Sequence, residues 1–104
     1  MRLKTVRQGR TIVAHLAGEL DQHSSEQVRD ELDGILDDES VKRIEFDLKD
    51  VTFMDSSGIG VILGRYKRLK PRGGSMGVMN AKPGIDRILR MSGVYRIATE
   101  RSRA

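Results

Sequence analysis

The spacing of hydrophobic positions changes several times along the chain, and each change marks an element. Around Gly9-Arg10, KTVRQ at 4–8 and TIVAHLAG at 11–18 read as the two strands of an N-terminal hairpin. The second is apolar at Ile12, Val13, Ala14, Leu16 and Ala17, which predicts a central strand covered on both faces. The period then lengthens. In HSSEQVRDELDGILDD, residues 23–38, the side chains of Val28, Leu32, Ile35 and Leu36 share one helical stripe. Ser24 with Gln27 three residues later fits a capping box, in which each side chain satisfies the other's free backbone donor. VKRIEFDLKD at 41–50 alternates Ile44, Phe46 and Leu48 against Arg43, Glu45 and Asp47, which predicts a strand ending near Leu48.

The second half repeats the alternation of strand and helix. Ile59, Ile62, Leu63, Tyr66 and Leu69 predict a helix over 57–70, stopped by Pro71 and Gly73-Gly74. SMGVM at 75–79 is a short strand, and Pro83 opens a last helix carrying Ile85, Ile88, Leu89 and Met91 until Ser92-Gly93 closes it. YRIAT at 95–99 reads as a final edge strand. The order β-β-α-β-α-β-α-β predicts one α/β domain over residues 1–104: a mixed sheet packed with helices, parallel where right-handed crossovers join its strands and antiparallel at the hairpin.

Composition narrows the chemistry. At 104 residues the chain holds one core, built from Ile, Leu, Val and Met, since Phe46, Phe53, Tyr66 and Tyr95 are its only aromatics. It has no cysteine, which excludes thiol nucleophiles and thiolate metal sites, and only His15 and His23 as imidazoles, too few for a histidine-based metal centre. His15 in its apolar strand reads as a satisfied core histidine, and His23 as a surface or cap residue. The basic start MRLKTVRQGR is followed by only seven mixed apolar residues, so no signal peptide or membrane span is expected and the chain is placed in the cytoplasm. The net charge of +4 conceals an asymmetry: residues 19–50 hold twelve acids against four bases, and residues 56–104 eleven bases against Asp86 and Glu100. Such a dipolar surface favours oriented docking onto a partner of complementary charge.

The unusual chemistry lies in FMDSSGIGVILGRYKRL, residues 53–69, where an acid and two serines stand before a glycine-spaced apolar helix. In an α/β sheet, ligands and partners are met in loops after the carboxyl ends of strands, where free helical N–H groups face outward. Asp55 or a serine serves as an N-cap in the plainest reading. A dinucleotide fingerprint fails on four counts: the spacing is GxGxxxG, six residues separate Leu48 from Asp55, Asp55 repels a pyrophosphate, and no acid ends the next strand at Met79-Asn80. A serine hydrolase lacks the G-x-S-x-G elbow and a histidine with a route to Ser56 or Ser57. A nucleic-acid surface from Arg65, Lys67, Arg68, Lys70 and Arg72 lacks stacking aromatics and a reading helix. The remaining reading makes a serine the substrate: a hydroxyl at a helix N-terminus accepts a phosphoryl group with little disturbance of the fold, and the new charge repels a facing acid or nucleotide phosphate.

GELDQH at 18–23, FMDSSGIGVILGRYK at 53–67 and RMSGVYRI at 90–97 resemble the anti-sigma factor antagonists of the STAS fold, over nearly the whole chain. The match is to the sporulation anti-sigma-F branch more than to the stress-response sigma-B branch. The resemblance implies a STAS-like mixed sheet and no catalysis by the chain itself. By position it implies that Ser56 is phosphorylated by a partner that is both anti-sigma factor and serine kinase, bound to ATP or ADP. It further implies that the unphosphorylated form binds that kinase and releases the sigma factor, and that a PP2C-type phosphatase restores the hydroxyl. Asp21 matches a kinase-contacting residue, and Asp55, Ser57, Gly58 and Ile59 fall in the docking surface beside Ser56. The kinase supplies base, Mg²⁺ and ATP, so this chain needs neither metal nor cofactor. Its free form is expected to be a monomer without affinity for nucleic acid. Relatives usually continue into a C-terminal helix where this chain carries TERSRA, an expectation of a less covered sheet.

Overall fold

The computed structural model describes residues 1–101. Five strands form one sheet in the order β1 (Arg2–Gln8), β2 (Thr11–Leu20), β3 (Arg43–Met54), β4 (Ser75–Met79) and β5 (Thr99–Arg101). β1 pairs antiparallel with β2, and every later pair is parallel. The crossovers are α1 (Gln22–Leu36), α2 (Ser56–Leu69) and α3 (Pro83–Ser92), with short 3₁₀ turns at Lys70–Arg72 and Val94–Arg96. Because consecutive parallel strands are sheet neighbours and such crossovers are right-handed, all three helices pack on one face.

That face holds the core. Ile12, Ala14, Leu16, Ile44, Phe46, Leu48, Met76 and Val78 meet Val28, Leu32, Leu36, Ile62, Leu69, Ile85 and Leu89, all buried. Each of these side chains except Ala14 contributes about 1.5–3 kcal/mol by burial. Only one face of β2 is covered by helices, contrary to the pattern of its sequence. The other carries Val13 and His15 among the side chains of β1 and β3, so His15 is partnered but is not a core residue: its Nδ1 lies 2.8 Å from Asp47 Oδ2 with the ring still part exposed. Glu45 and Asp47 point to the same open face and are nonetheless only 4% and 5% exposed.

Three boundaries differ from the sequence reading. α1 begins at Gln22, not after Ser24. The capping box is Asp21 with Ser24: Asp21 Oδ1 accepts from His23 N–H (2.9 Å) and Ser24 N–H (3.1 Å), while Asp21 N–H donates to Ser24 Oγ (3.1 Å). Ser24 is thus the third helical residue, and Gln27 reaches forward to Glu31. β3 does not end at Leu48 but continues to Met54 through two register shifts against β2. The YRIAT segment is not a strand over 95–99. Residues 94–96 form a 3₁₀ turn held to α3, with Tyr95 Oη donating to Asp86 Oδ1 at 2.7 Å, and β5 starts at Thr99. Of the TERSRA segment, 99–101 is therefore strand, and residues 102–104 lie outside the described residues.

The basic end of α2 serves α1. Arg68 donates to Asp33 O (3.0 Å) and Asp37 Oδ1 (3.1 Å), and Arg72 to Leu36 O (3.0 Å), Asp38 O and Val41 O (both 3.2 Å). α1 has no basic residue in its own last turn; Arg72, in the 3₁₀ turn after α2, caps the Leu36 carbonyl at its end, and Arg68 adds a second donor to the Asp33 carbonyl, which already accepts from Asp37 N–H. Arg65, 6% exposed, sits 3.0 Å from Asp33, held by charge without an aligned hydrogen bond. Arg65, Arg68 and Arg72 are thereby withdrawn from the basic surface considered for nucleic acid, leaving Lys67 and Lys70 exposed on this stretch.

Candidate functional site

β2 and β3 end together, with Leu20 paired to Met54. The next residue of each chain segment, Asp21 and Asp55, has extended backbone and caps the helix that follows. Asp55 Oδ1 accepts from Ser57 N–H at 2.9 Å and Gly58 N–H at 3.3 Å. The first free donors of α2 are thus taken by a carboxylate of the chain itself, which leaves no anion cradle for a dinucleotide. One sequence objection to that motif does not survive, since β3 runs directly into Asp55; the GxGxxxG spacing and the occupied N–H groups stand against it.

Ser56 is the first residue of α2 and is exposed, while Ser57 is half-buried. Their side chains face different neighbours. Ser57 lines a polar cleft between α1 and α2 with Gln22, Glu26 and Arg29. Ser56 borders a shallow apolar depression between α2 and α3, walled by Met54, Ile59, Ile88 and Met91. No hydrogen bond among the described residues engages the Ser56 hydroxyl. Ile59 is 8% exposed and forms part of the floor, whereas Met91, one of the apolar residues the last helix carries, is 82% exposed on the rim. Phe53, just before the motif, is 48% exposed. A sequence pattern does not distinguish such rim residues from core ones; their signal is the length of the apolar stripe relative to the width of the sheet beneath it.

Gly58 sits where α2 crosses the strand ends. A Cβ there would lie 2.7 Å from Leu20 O and 2.8 Å from Met54 Cγ, so the close approach needs a bare backbone. Gly60 and Gly64 meet nothing and carry no such requirement. Asp21 lies beside this site at the mouth of α1, its carboxyl held below the usual range chiefly by the Ser24 N–H. No hydrogen bond among the described residues joins either histidine to Ser56: His15 is tied to Asp47 on the open face, and His23 is exposed in the first turn of α1. Among the described residues no group of three or more metal-ligating side chains is assembled, and no helix is long and apolar enough to cross a membrane.

Comparison with known proteins gives this geometry a family. The STAS domain profile matches residues 2–103. An anti-sigma F factor antagonist of Paenibacillus polymyxa is 44% identical over 86 residues, covering 83% of this chain and 74% of that protein. An anti-sigma-B factor antagonist of Bacillus subtilis (strain 168) is 35% identical, covering 80% and 74% respectively. Among solved structures, the unphosphorylated anti-sigma factor antagonist SpoIIAA superposes with a TM-score of 0.86 at 30% identity, covering 96% of this chain and 88% of that one. The phosphorylated form of the Bacillus SpoIIAA superposes at 0.78 and 29% identity, covering 96% and 91%. The chain belongs to the STAS domain family.

Proposed function

We propose that this protein is an anti-sigma factor antagonist of the sporulation sigma-F type, working as a phospho-switched binding module and not as an enzyme. The observation that carries the reading is the placement of Ser56: exposed, unused by the fold, at the first position of α2, and beside an apolar depression. The greater identity to a sigma-F antagonist than to a sigma-B one supports the sporulation branch.

In the unphosphorylated state, Asp21, Asp55, Ser57 and Ile59, held around the buried Gly58, form a surface on which the anti-sigma factor docks, displacing its sigma factor. That partner is also the kinase and brings ATP, Mg²⁺ and the catalytic base to the Ser56 hydroxyl. Phosphorylation adds a charge of about −1.5 to −2. Asp55 already occupies the N–H groups of Ser57 and Gly58, so the phosphate stays at the surface next to Asp55 and the apolar depression. There it opposes docking through desolvation and through repulsion from the partner's nucleotide, without refolding the domain. A PP2C-type phosphatase resets the switch in the cytoplasm, and the free protein is a monomer. Calorimetric titration with the cognate anti-sigma kinase and ADP tests this. Ser56→Ala is expected to bind like wild type and Ser56→Asp about tenfold or more weaker; equal affinity of the two variants contradicts the switch.

A further inference from the structure

Asp47 stands on the sheet face that the helices leave open, yet it is 5% exposed, and three elements converge on its carboxylate. His15 Nδ1 on β2 lies 2.8 Å from Oδ2. On β3 itself, Lys49 N–H donates to Oδ1 at 3.2 Å. From the segment joining β4 to α3, Asn80 Nδ2 donates to the same oxygen at 3.1 Å.

These contacts fall where regular structure breaks. Between His15↔Asp47 and Ala17↔Asp50 the register shifts, so β3 carries one residue more than β2. The Asp47–Lys49 bond closes an Asx-type turn on that extra residue. Beyond it a second one-residue shift, between Gly18↔Val51 and Glu19↔Phe53, precedes the pairing of Met54 with Leu20, after which β3 delivers Asp55 and Ser56. Among the described residues Asn80 is the non-glycine residue of positive φ, +64°, a conformation its short amide tolerates, and Pro83 begins α3 three residues later. α3 supplies Ile88 and Met91, the far wall of the depression beside Ser56.

We propose that Asp47 is the positioning residue of the Ser56 surface. One buried carboxylate sets both the first of the two bulges on the way to Asp55-Ser56 and the turn that launches α3, so both walls of the depression are referenced to the same group. The proposal rests on the reading of Ser56 as phosphoacceptor. It differs from a purely stabilising role, in which removal of the carboxylate lowers the melting temperature and leaves the geometry around Ser56 unchanged.

Three variants of the full chain test it: Asp47→Ala, Asp47→Asn and Asn80→Gly. Asparagine keeps an acceptor oxygen for Lys49 and Asn80, and its amide donates to His15 once the imidazole takes the other tautomer, so it is the rescuing substitution. Glycine at 80 keeps the left-handed backbone and removes only the bond to Asp47. Amide chemical shifts, recorded well below each melting temperature, read the geometry without a partner. Asp47→Ala is expected to displace residues 55–59 and 85–92, Asp47→Asn to restore them, and Asn80→Gly to displace only 85–92. In phosphorylation by the cognate anti-sigma kinase, Asp47→Ala is expected to raise KM about fivefold with kcat within about twofold, as for lost docking. A folded Asp47→Ala with wild-type shifts in both segments overturns the proposal, as does an Asn variant no closer to wild type than Ala. If Asp47→Ala does not fold, unchanged 85–92 shifts in Asn80→Gly overturn it. A wild type that is never phosphorylated defeats the functional reading instead, and the shifts still decide this one.

Discussion

Asp21 and Asp55 each stand one residue beyond the in-register pair Leu20↔Met54, so two capped helix mouths open side by side at the carboxyl ends of adjacent parallel strands. The docking surface proposed here is a consequence of that register. Sheet pairing places Asp21, contributed by the first half of the chain, next to Ser56, more than thirty positions away.

Asp21 holds a cap and a surface charge at once, and two substitutions separate them. Asp21→Asn preserves a good N-cap and is expected to leave stability within about 0.5 kcal/mol, whereas Asp21→Ala loses the cap at a cost of about 1 kcal/mol. Both are expected to weaken binding to the anti-sigma kinase, since both lose the charge. Urea melts paired with binding titrations check this; wild-type affinity in Asp21→Asn assigns the residue to capping alone.

Gly58→Ala forces a methyl against Leu20 O and Met54, neither of which can retreat far from the sheet end. The expected cost is about 1–3 kcal/mol as overpacking. Gly60→Ala, at a site with no neighbour within 4 Å, is expected to be neutral or slightly stabilising through helix propensity. Thermal melts of the two variants, side by side, read the contrast.

The α1–α2 contact carries a second asymmetry. Asp33→Ala strands the buried Arg65 guanidinium, which burial already lowers from its ordinary pKa and Asp33 sustains. A loss of about 3 kcal/mol is expected. Arg65→Leu removes the buried charge and leaves Asp33, part exposed, to Arg68, so it is expected to cost less. Chemical denaturation of both variants checks the order.

Element type was legible in the sequence wherever one period ran unbroken, as in α2 and β4. It failed where a local bond overrode the pattern. The KDVT stretch after Leu48 looks like a loop because the two register shifts spoil the alternation; pairing with β2 and the Asp47–Lys49 turn keep it in the sheet. Ser24 reads as a cap by residue type, and Asp21 takes the role because β2 delivers it at the helix mouth. Of the site, the DSSG motif was readable as chemistry, and the preference for Ser56 over Ser57 rests on family likeness, to which the structure adds that Ser56 is exposed and Ser57 half-buried. Ile88 and Met91 were indistinguishable from core, since a helix stripe does not reveal how far the sheet extends beneath it.

Acid is expected to weaken the fold through Asp47. Burial raises its pKa, but hydrogen bonds from Asn80, the Lys49 N–H and His15 outweigh this and leave the pKa below the ordinary 3.8. A carboxyl with a depressed folded pKa stabilises fully above its unfolded value, and that contribution is lost as pH falls through the folded one. Unfolding free energy from urea melts is therefore expected to fall below about pH 4, and less steeply in Asp47→Asn.

The central claim is tested most directly by intact mass after incubation with the cognate anti-sigma kinase, ATP and Mg²⁺. Wild type and Ser57→Ala are expected to gain one phosphate, and Ser56→Ala none. A phosphate on Ser56→Ala, or none on wild type with a kinase active on another antagonist, would contradict the account.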